Sequence, residues 1–346
     1  MFRPGPLVLQ AALLLASACG RSEPAKIADV PGISAEPKLV RSTIAFTLQE
    51  KDLIPEGIAA DPKTGRLFVG SVEKRKIVAL SADGKETSFV PSGAAGLGPV
   101  IGLRVDPARG WLWAVSEPTG RPKSDPGTFR GLYAFTLSDG SLAARIQLPR
   151  SFGTVHALND LCIDADGTIY VTDSNPGSLF YAKSGEKKLS ALSLDPEAKK
   201  ALRFANGIAC AAQRNRLYVA VATGLAVVDP KAGTLRVLAT PAGFPSGGLG
   251  GCDGLYLEAP DRLVAIQNGH GAERVLRVTL NATGLAIAQI ETLEVGQPLY
   301  EIPTTGALLN GALYLIANSQ VGNYDDVGNL DRRGLKRPVI LRLGLQ

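Results

Sequence analysis

Histidine is almost missing from this chain of 346 residues: His156 and His270 are the only two. Cysteine is scarce as well, with four, and no CxxC pair or Cys/His cluster occurs. Zinc sites and thiol redox centres need such groupings, so neither finds support. No long run of Lys or Arg exists and the formal charge is only +5. Nucleic acid is therefore not an expected partner, nor is an anionic membrane surface. Beyond the N-terminus no stretch of 18 apolar residues appears, so no later segment reads as a membrane-spanning helix. What the chain does have is 45% hydrophobic residues, 39 glycines and 23 prolines. That is the composition of a folded chain with many turns, and not of a disordered one.

The first residues read as a targeting segment. Arg3 supplies a positive start, and Leu7 to Ala16 is apolar apart from Gln10. Residues 1–18 are expected to be a lipoprotein signal peptide, because small residues precede a cysteine in Leu15-Ala16-Ser17-Ala18-Cys19. Cys19 is then the expected lipidation site. Residues 19–38, rich in Pro, Ser, Ala and Glu, form an expected flexible tether. The localisation that follows is export, with a lipid anchor in the bacterial envelope, at the outer membrane and facing the periplasm. An oxidising compartment permits one bridge among Cys162, Cys210 and Cys252. The residues do not choose the pair, and three small buried hydrophobes is the preferred reading.

Residues 39–346 repeat six times. A residue X, a small residue and an aliphatic recur as Glu56-Gly57-Ile58, Ile101-Gly102-Leu103, Asn159-Asp160-Leu161, Asn206-Gly207-Ile208, Asp253-Gly254-Leu255 and Thr305-Gly306-Ala307. Each copy leads into a turn, such as Asp61 to Gly65, and then into runs rich in β-formers, such as Arg216 to Ala220 and Gly224 to Val228. Short strands between Gly, Asp and Pro turns argue for hairpins. A period near 45–50 residues with four strands per unit is that of a propeller blade. The fold expected is all-β, a six-bladed β-propeller. Glu117 to Arg130 is read as a loop that lengthens the second unit. The last unit has three strands, and Leu39 to Leu48 can supply its fourth, closing the ring and removing an edge. An open solenoid would need capping units that the sequence lacks.

In a propeller the six X positions ring one mouth of the central channel. Four of them, Glu56, Asn159, Asn206 and Asp253, carry carboxylate or amide oxygens. Two carboxylates and two amides suit a hard divalent cation, calcium in particular, which takes six to eight oxygens. Without a cation the same carboxylates would repel each other.

These motifs resemble those of the regucalcin/gluconolactonase family, which includes senescence marker protein and luciferin-regenerating enzymes. The resemblance rests on Pro55-Glu56-Gly57, Asn159-Asp160 with Ile169 to Asp173, Asn206-Gly207-Ile208 with Leu217 to Ala220, and Asp253-Gly254-Leu255. More distantly it extends to paraoxonases and diisopropyl fluorophosphatases. It implies a channel cation held by Glu56, Asn206 and Asp253, with Asn159 binding metal or substrate. It also implies a role for Asp253 as catalytic base or nucleophile. One position departs from the family: the sugar lactonases carry an Arg two residues before the third-blade Asn, and this chain has Ala157 there. His156, His270 and Thr305 are the further candidate substrate contacts. The runs Tyr300 to Thr305 and Asn318-Ser319-Gln320 are expected at the rim.

Two functions remain open at this level. One is a calcium-dependent hydrolase of a small-molecule ester or lactone. The other is a non-catalytic, metal-containing binding module of the envelope.

Overall fold

The computed structural model describes residues 38–118, 129–241, 244, 248–269, 271 and 273–346. The expected signal peptide, Cys19, nearly all of the tether, and His270 lie outside the described residues. Among those described, no helix is long and apolar enough to cross a membrane.

Six four-stranded antiparallel sheets follow one another along the chain, the first five running in sequence order from inner to outer strand. The expected six-bladed β-propeller is therefore the fold. The inner strands are Pro55–Ala60, Val100–Asp106, Leu158–Ile163, Ile208–Ala211, Cys252–Ala259 and Gly306–Leu309. The sixth sheet is completed by Thr43–Thr47, which pairs antiparallel with Val339–Gly344. This is the closure anticipated from Leu39 to Leu48, with a shorter strand. Leu39 itself pairs with Val295 of blade five.

The core lies between blades. Leu48, Leu53, Ile58, Val69 and Val78 pack against Leu309, Ile316 and Ile340 across the closing joint. The other five joints hold similar clusters. Each buried Leu, Ile or Val contributes about 1.5–3 kcal/mol relative to its exposed state. Alternation along the strands is what aims these residues at the neighbouring sheet.

The small residue of the repeat has a steric cause. A Cβ at Gly57 would collide with the carbonyl of Ile101, and one at Gly207 with the carbonyl of Asp253. Adjacent inner strands thus approach too closely for a side chain at that level.

A short α-helix, Pro196–Ala201, precedes blade four and was not expected. Its signal was present, since Asp195 caps it and Pro196 occupies its first turn.

The cysteine reading needs correction. Cys162 and Cys210 form a disulfide between the inner strands of blades three and four, and among the described residues Cys252 alone stays free, and it is buried. A signal existed in the repeat: Cys162 and Cys210 follow their X residues by three and four positions, whereas Cys252 precedes its own. The two that bond sit at matching depth in neighbouring blades.

Candidate metal centre

The X residues reach the channel because the inner strands are irregular there. Pairing with the second strand shifts register between Pro55 and Ile58, between Val100 and Leu103, between Leu158 and Leu161, and between Cys252 and Leu255. Such bulges release X from the ladder and re-aim its side chain. In blades four and six the inner strand begins just after X.

Three X residues come together with unsatisfied oxygens. Among the described residues, four buried side-chain atoms lack a hydrogen-bond partner: Glu56 Oε2, Asn206 Oδ1, Asp253 Oδ1 and Trp113 Nε1. Buried polar groups are nearly always paired, so three orphaned oxygens at one mouth require an explanation. They are three of the four oxygens expected to hold a cation. The donor set is two carboxylates and an amide, with no imidazole and no thiolate. Among the described residues no group of three or more His, Cys, Asp and Glu that could hold a metal ion occurs, so the Asn206 amide is a necessary member of this set. The residues therefore fit a hard cation such as calcium and not a softer one.

Electrostatics agree with that fit. Burial, and then the charge of Asp253, push the Glu56 carboxyl well above its ordinary range. Burial pushes Asp253 up to about 6; Asn268 and the nearby Asn206 amide oppose this, and the charge of Asp160 adds to it. A divalent ion would reverse both effects by stabilising the ionised forms.

The fold grips the donors from behind. Asn268 Nδ2 donates to Asp253 Oδ2 at 2.7 Å and to Pro303 O at 2.9 Å. Thr305 Oγ1 donates to the carbonyl of Glu56 at 2.5 Å, and Thr304 Oγ1 to the same oxygen at 3.2 Å. Thr305 thus supports Glu56 through the backbone.

The remaining candidates are placed differently. Asn159 is half-buried and its Nδ2 donates to Ser174 Oγ at 3.1 Å, a bond in which Oδ1 takes no part. His156 is buried with both ring nitrogens engaged, Nδ1 with Asp173 Oδ2 at 2.6 Å and Nε2 with Phe152 O at 3.1 Å. Those bonds tie it to its own blade. Ala157 donates its N–H to Asp173 Oδ1. Asn318, Ser319 and Gln320 are buried and bond to backbone groups of Val339, Ile302 and Lys336. They stitch loops together.

Below the donors a polar layer crosses the channel. Asp160, which stands where other copies have glycine, accepts from Arg104 Nη2 and from Ile208 N, each at 3.3 Å. The Arg104 guanidinium lies 5.4 Å from the centroid of the Tyr256 ring, and the Tyr256 hydroxyl accepts from Gly306 N at 2.6 Å. Five blades are linked by this layer. Beneath it, at the opposite mouth, lies a cavity of about 410 Å³ lined by the ends of all six inner strands. Neither Arg104 nor Asn268 stood out in the sequence. The Asp at position 160 was a visible break in the X-Gly pattern.

Residues 54–291 match the family described as SMP-30/Gluconolactonase/LRE-like region. Comparison with curated proteins finds no match. Among solved structures, a gluconolactonase from Xanthomonas campestris is 16% identical, with a TM-score of 0.56 over 91% of this chain and 99% of that one. A calcium-binding regucalcin from Agrobacterium tumefaciens is 17% identical, with a TM-score of 0.56 over 87% and 94%. A luciferin-regenerating enzyme is 14% identical, with a TM-score of 0.58 over 89% and 95%. At these identities the likeness is one of fold.

Proposed function

The chain belongs to the SMP-30/gluconolactonase/LRE-like family, and from that membership we propose a lactonase-like hydrolase that depends on calcium and acts on a small ester or lactone. The observation that carries the proposal is the set of orphaned oxygens on Glu56, Asn206 and Asp253. These three residues would hold the ion, with Asn159 as a fourth ligand or a substrate contact. A bound calcium ion supplies Lewis-acid polarisation of a carbonyl and positive charge for a developing oxyanion. The chain's own residues do the rest. Asn268 fixes Asp253 through Oδ2 and leaves the carboxylate with an unpaired Oδ1, which makes Asp253 the candidate base or nucleophile. Thr304 and Thr305 hold the backbone of Glu56, so its carboxylate is placed before substrate arrives.

Ala157 favours the second reading, a metal-containing binding module. A methyl group at that position cannot grip the hydroxyls of a sugar lactone. Assay of the full-length protein against a panel of aryl esters and lactones, with calcium and with chelator, separates the two. Calcium-dependent turnover supports the hydrolase. Calcium binding with no turnover across the panel supports the module.

We also propose that the protein is exported and held in the bacterial envelope through lipidated Cys19. Durable anchoring needs more than one acyl chain, which lipoprotein processing supplies. Cys19→Ser should release the protein from the membrane fraction, and unchanged fractionation would contradict the proposal.

A further inference from the structure

The joint between blades three and four is built unlike the next two, four to five and five to six. From blade four to five, Gly207 N donates directly to Asp253 O at 2.8 Å, and from five to six Gly254 N donates to Thr304 O at 3.1 Å. From three to four, the Asp160 N–H instead donates to Thr172 Oγ1 at 3.0 Å. That hydroxyl donates onward to Asn206 O at 2.7 Å. A side-chain hydroxyl thus stands between two strands where neighbouring joints have backbone contact. The other bond at this level, from Ile208 N to Asp160 Oδ2, is long at 3.3 Å.

The same joint carries the covalent bridge. Cys162 and Cys210 sit 5.6 Å apart at their Cα atoms, Cys162 on the strand that bears Asn159 and Cys210 on the strand that begins two residues after Asn206. Those two inner strands belong to different sheets and share no ladder. The bridge is therefore the strongest link fixing their separation. It is also reachable, because both cysteines line the 410 Å³ cavity at the far mouth and Cys210 is only half-buried.

We propose that the Cys162–Cys210 bond is a redox-sensitive clamp on the donor set: closed, it holds Asn206 in place for a divalent cation, and opened by a dithiol it lowers the affinity for that cation. The inference rests on the metal reading given above. In the opening step the S–S bond breaks, the dithiol supplies two electrons and two protons, two thiols form, and the dithiol closes to its own disulfide. The affinity of an oxygen site for calcium depends on how rigidly its ligands are held. Loss of the clamp leaves the Asn206 segment tied to blade three by noncovalent contacts alone: the hydroxyl bridge, the long bond, Ser174 Oγ donating to Ala205 O at 2.6 Å, and apolar packing between the blades.

The test is calcium titration by calorimetry of the full-length protein, oxidised and after dithiothreitol. Alkylation and mass spectrometry report the state of Cys162 and Cys210, and circular dichroism confirms that the sheets persist. The dissociation constant should rise at least tenfold on reduction and return on reoxidation. The Cys162→Ala/Cys210→Ala variant should match the reduced protein in affinity and ignore dithiothreitol. A constant unchanged within twofold, with both thiols alkylated and the fold intact, overturns the clamp while leaving the metal reading standing. Absence of calcium binding in the oxidised protein overturns the metal reading, and the clamp with it.

Discussion

Asn268 Nδ2 lies 2.7 Å from Asp253 Oδ2, while Asp253 Oδ1 makes no hydrogen bond among the described residues. One amide therefore decides which oxygen of Asp253 is left unpaired. Groups that orient a metal ligand from behind typically govern affinity by roughly 10- to 100-fold. Asn268→Ala should weaken calcium binding by that order while the melting temperature of the calcium-free protein changes little. Calorimetry on the variant checks this, and wild-type affinity would show that the bond is incidental.

The closing strand is clipped before it pairs. Glu294 is fully buried in the outer strand of blade five, and its Oε1 accepts from Arg41 N at 2.9 Å and Ser42 N at 2.7 Å. Its Oε2 accepts from the Tyr300 hydroxyl at 2.6 Å. Hydrogen bonds to a charged group contribute about 1.5–3 kcal/mol each, so Glu294→Leu should cost at least about 2 kcal/mol in urea unfolding. Deleting residues 20–36 should leave stability nearly unchanged. Deletion through Leu48 should expose an edge and cause aggregation. Equal stability of the two truncations would refute the role of this strand.

Arg104 and Asp160 form the layer beneath the donors. Burial raises the Asp160 carboxyl and the Arg104 charge pulls it back, so the acid depends on its partner. Removing one member of a buried pair costs about 3–5 kcal/mol, whereas removing both can cost little. Because Arg104 is partly exposed, the lower end of that range applies to Arg104→Met. The double variant Arg104→Met/Asp160→Asn should recover most of the loss. Additive losses in chemical denaturation would show that the pair is not coupled.

His156 gives a pH signature. Its bond to Asp173 raises its pKa above the ordinary 6.5, with burial opposing. A group whose folded pKa is raised adds stability that is fully present below its unfolded value and is lost as pH rises through the folded value. The difference in melting temperature between wild type and His156→Gln should therefore be largest below about pH 6 and shrink toward pH 8. A difference that grows with pH would reverse the assignment.

The blades and the closure were legible because a repeated pattern fixes them. X, a small residue and an aliphatic, followed by a turn and alternating β-formers, is a local signal that six copies reinforce. The equivalent positions of Glu56, Asn206 and Asp253, whose oxygens are left unpaired, were legible for the same reason, since all three occupy the same place in the repeat. What escaped was set by contacts between distant residues. Arg104 meets Asp160 across 56 positions, and Asn268 meets Asp253 across a hairpin. The burial of His156 against Asp173 depends on how one blade's loop folds over its second strand. The partner of Cys162 could have been read from depth in the repeat, which a count of cysteines does not use.

Calcium titration of the full-length wild-type protein, read by calorimetry and by thermal melting, tests the central claim most directly. One ion should bind per chain. Calcium at a thousandfold excess over its dissociation constant should stabilise the fold by about 4 kcal/mol, seen as a higher melting temperature. Glu56→Gln and Asp253→Asn should each weaken binding strongly, with Asp253→Asn also removing any turnover. A wild-type protein that binds no divalent ion and melts at the same temperature with and without calcium would contradict the account.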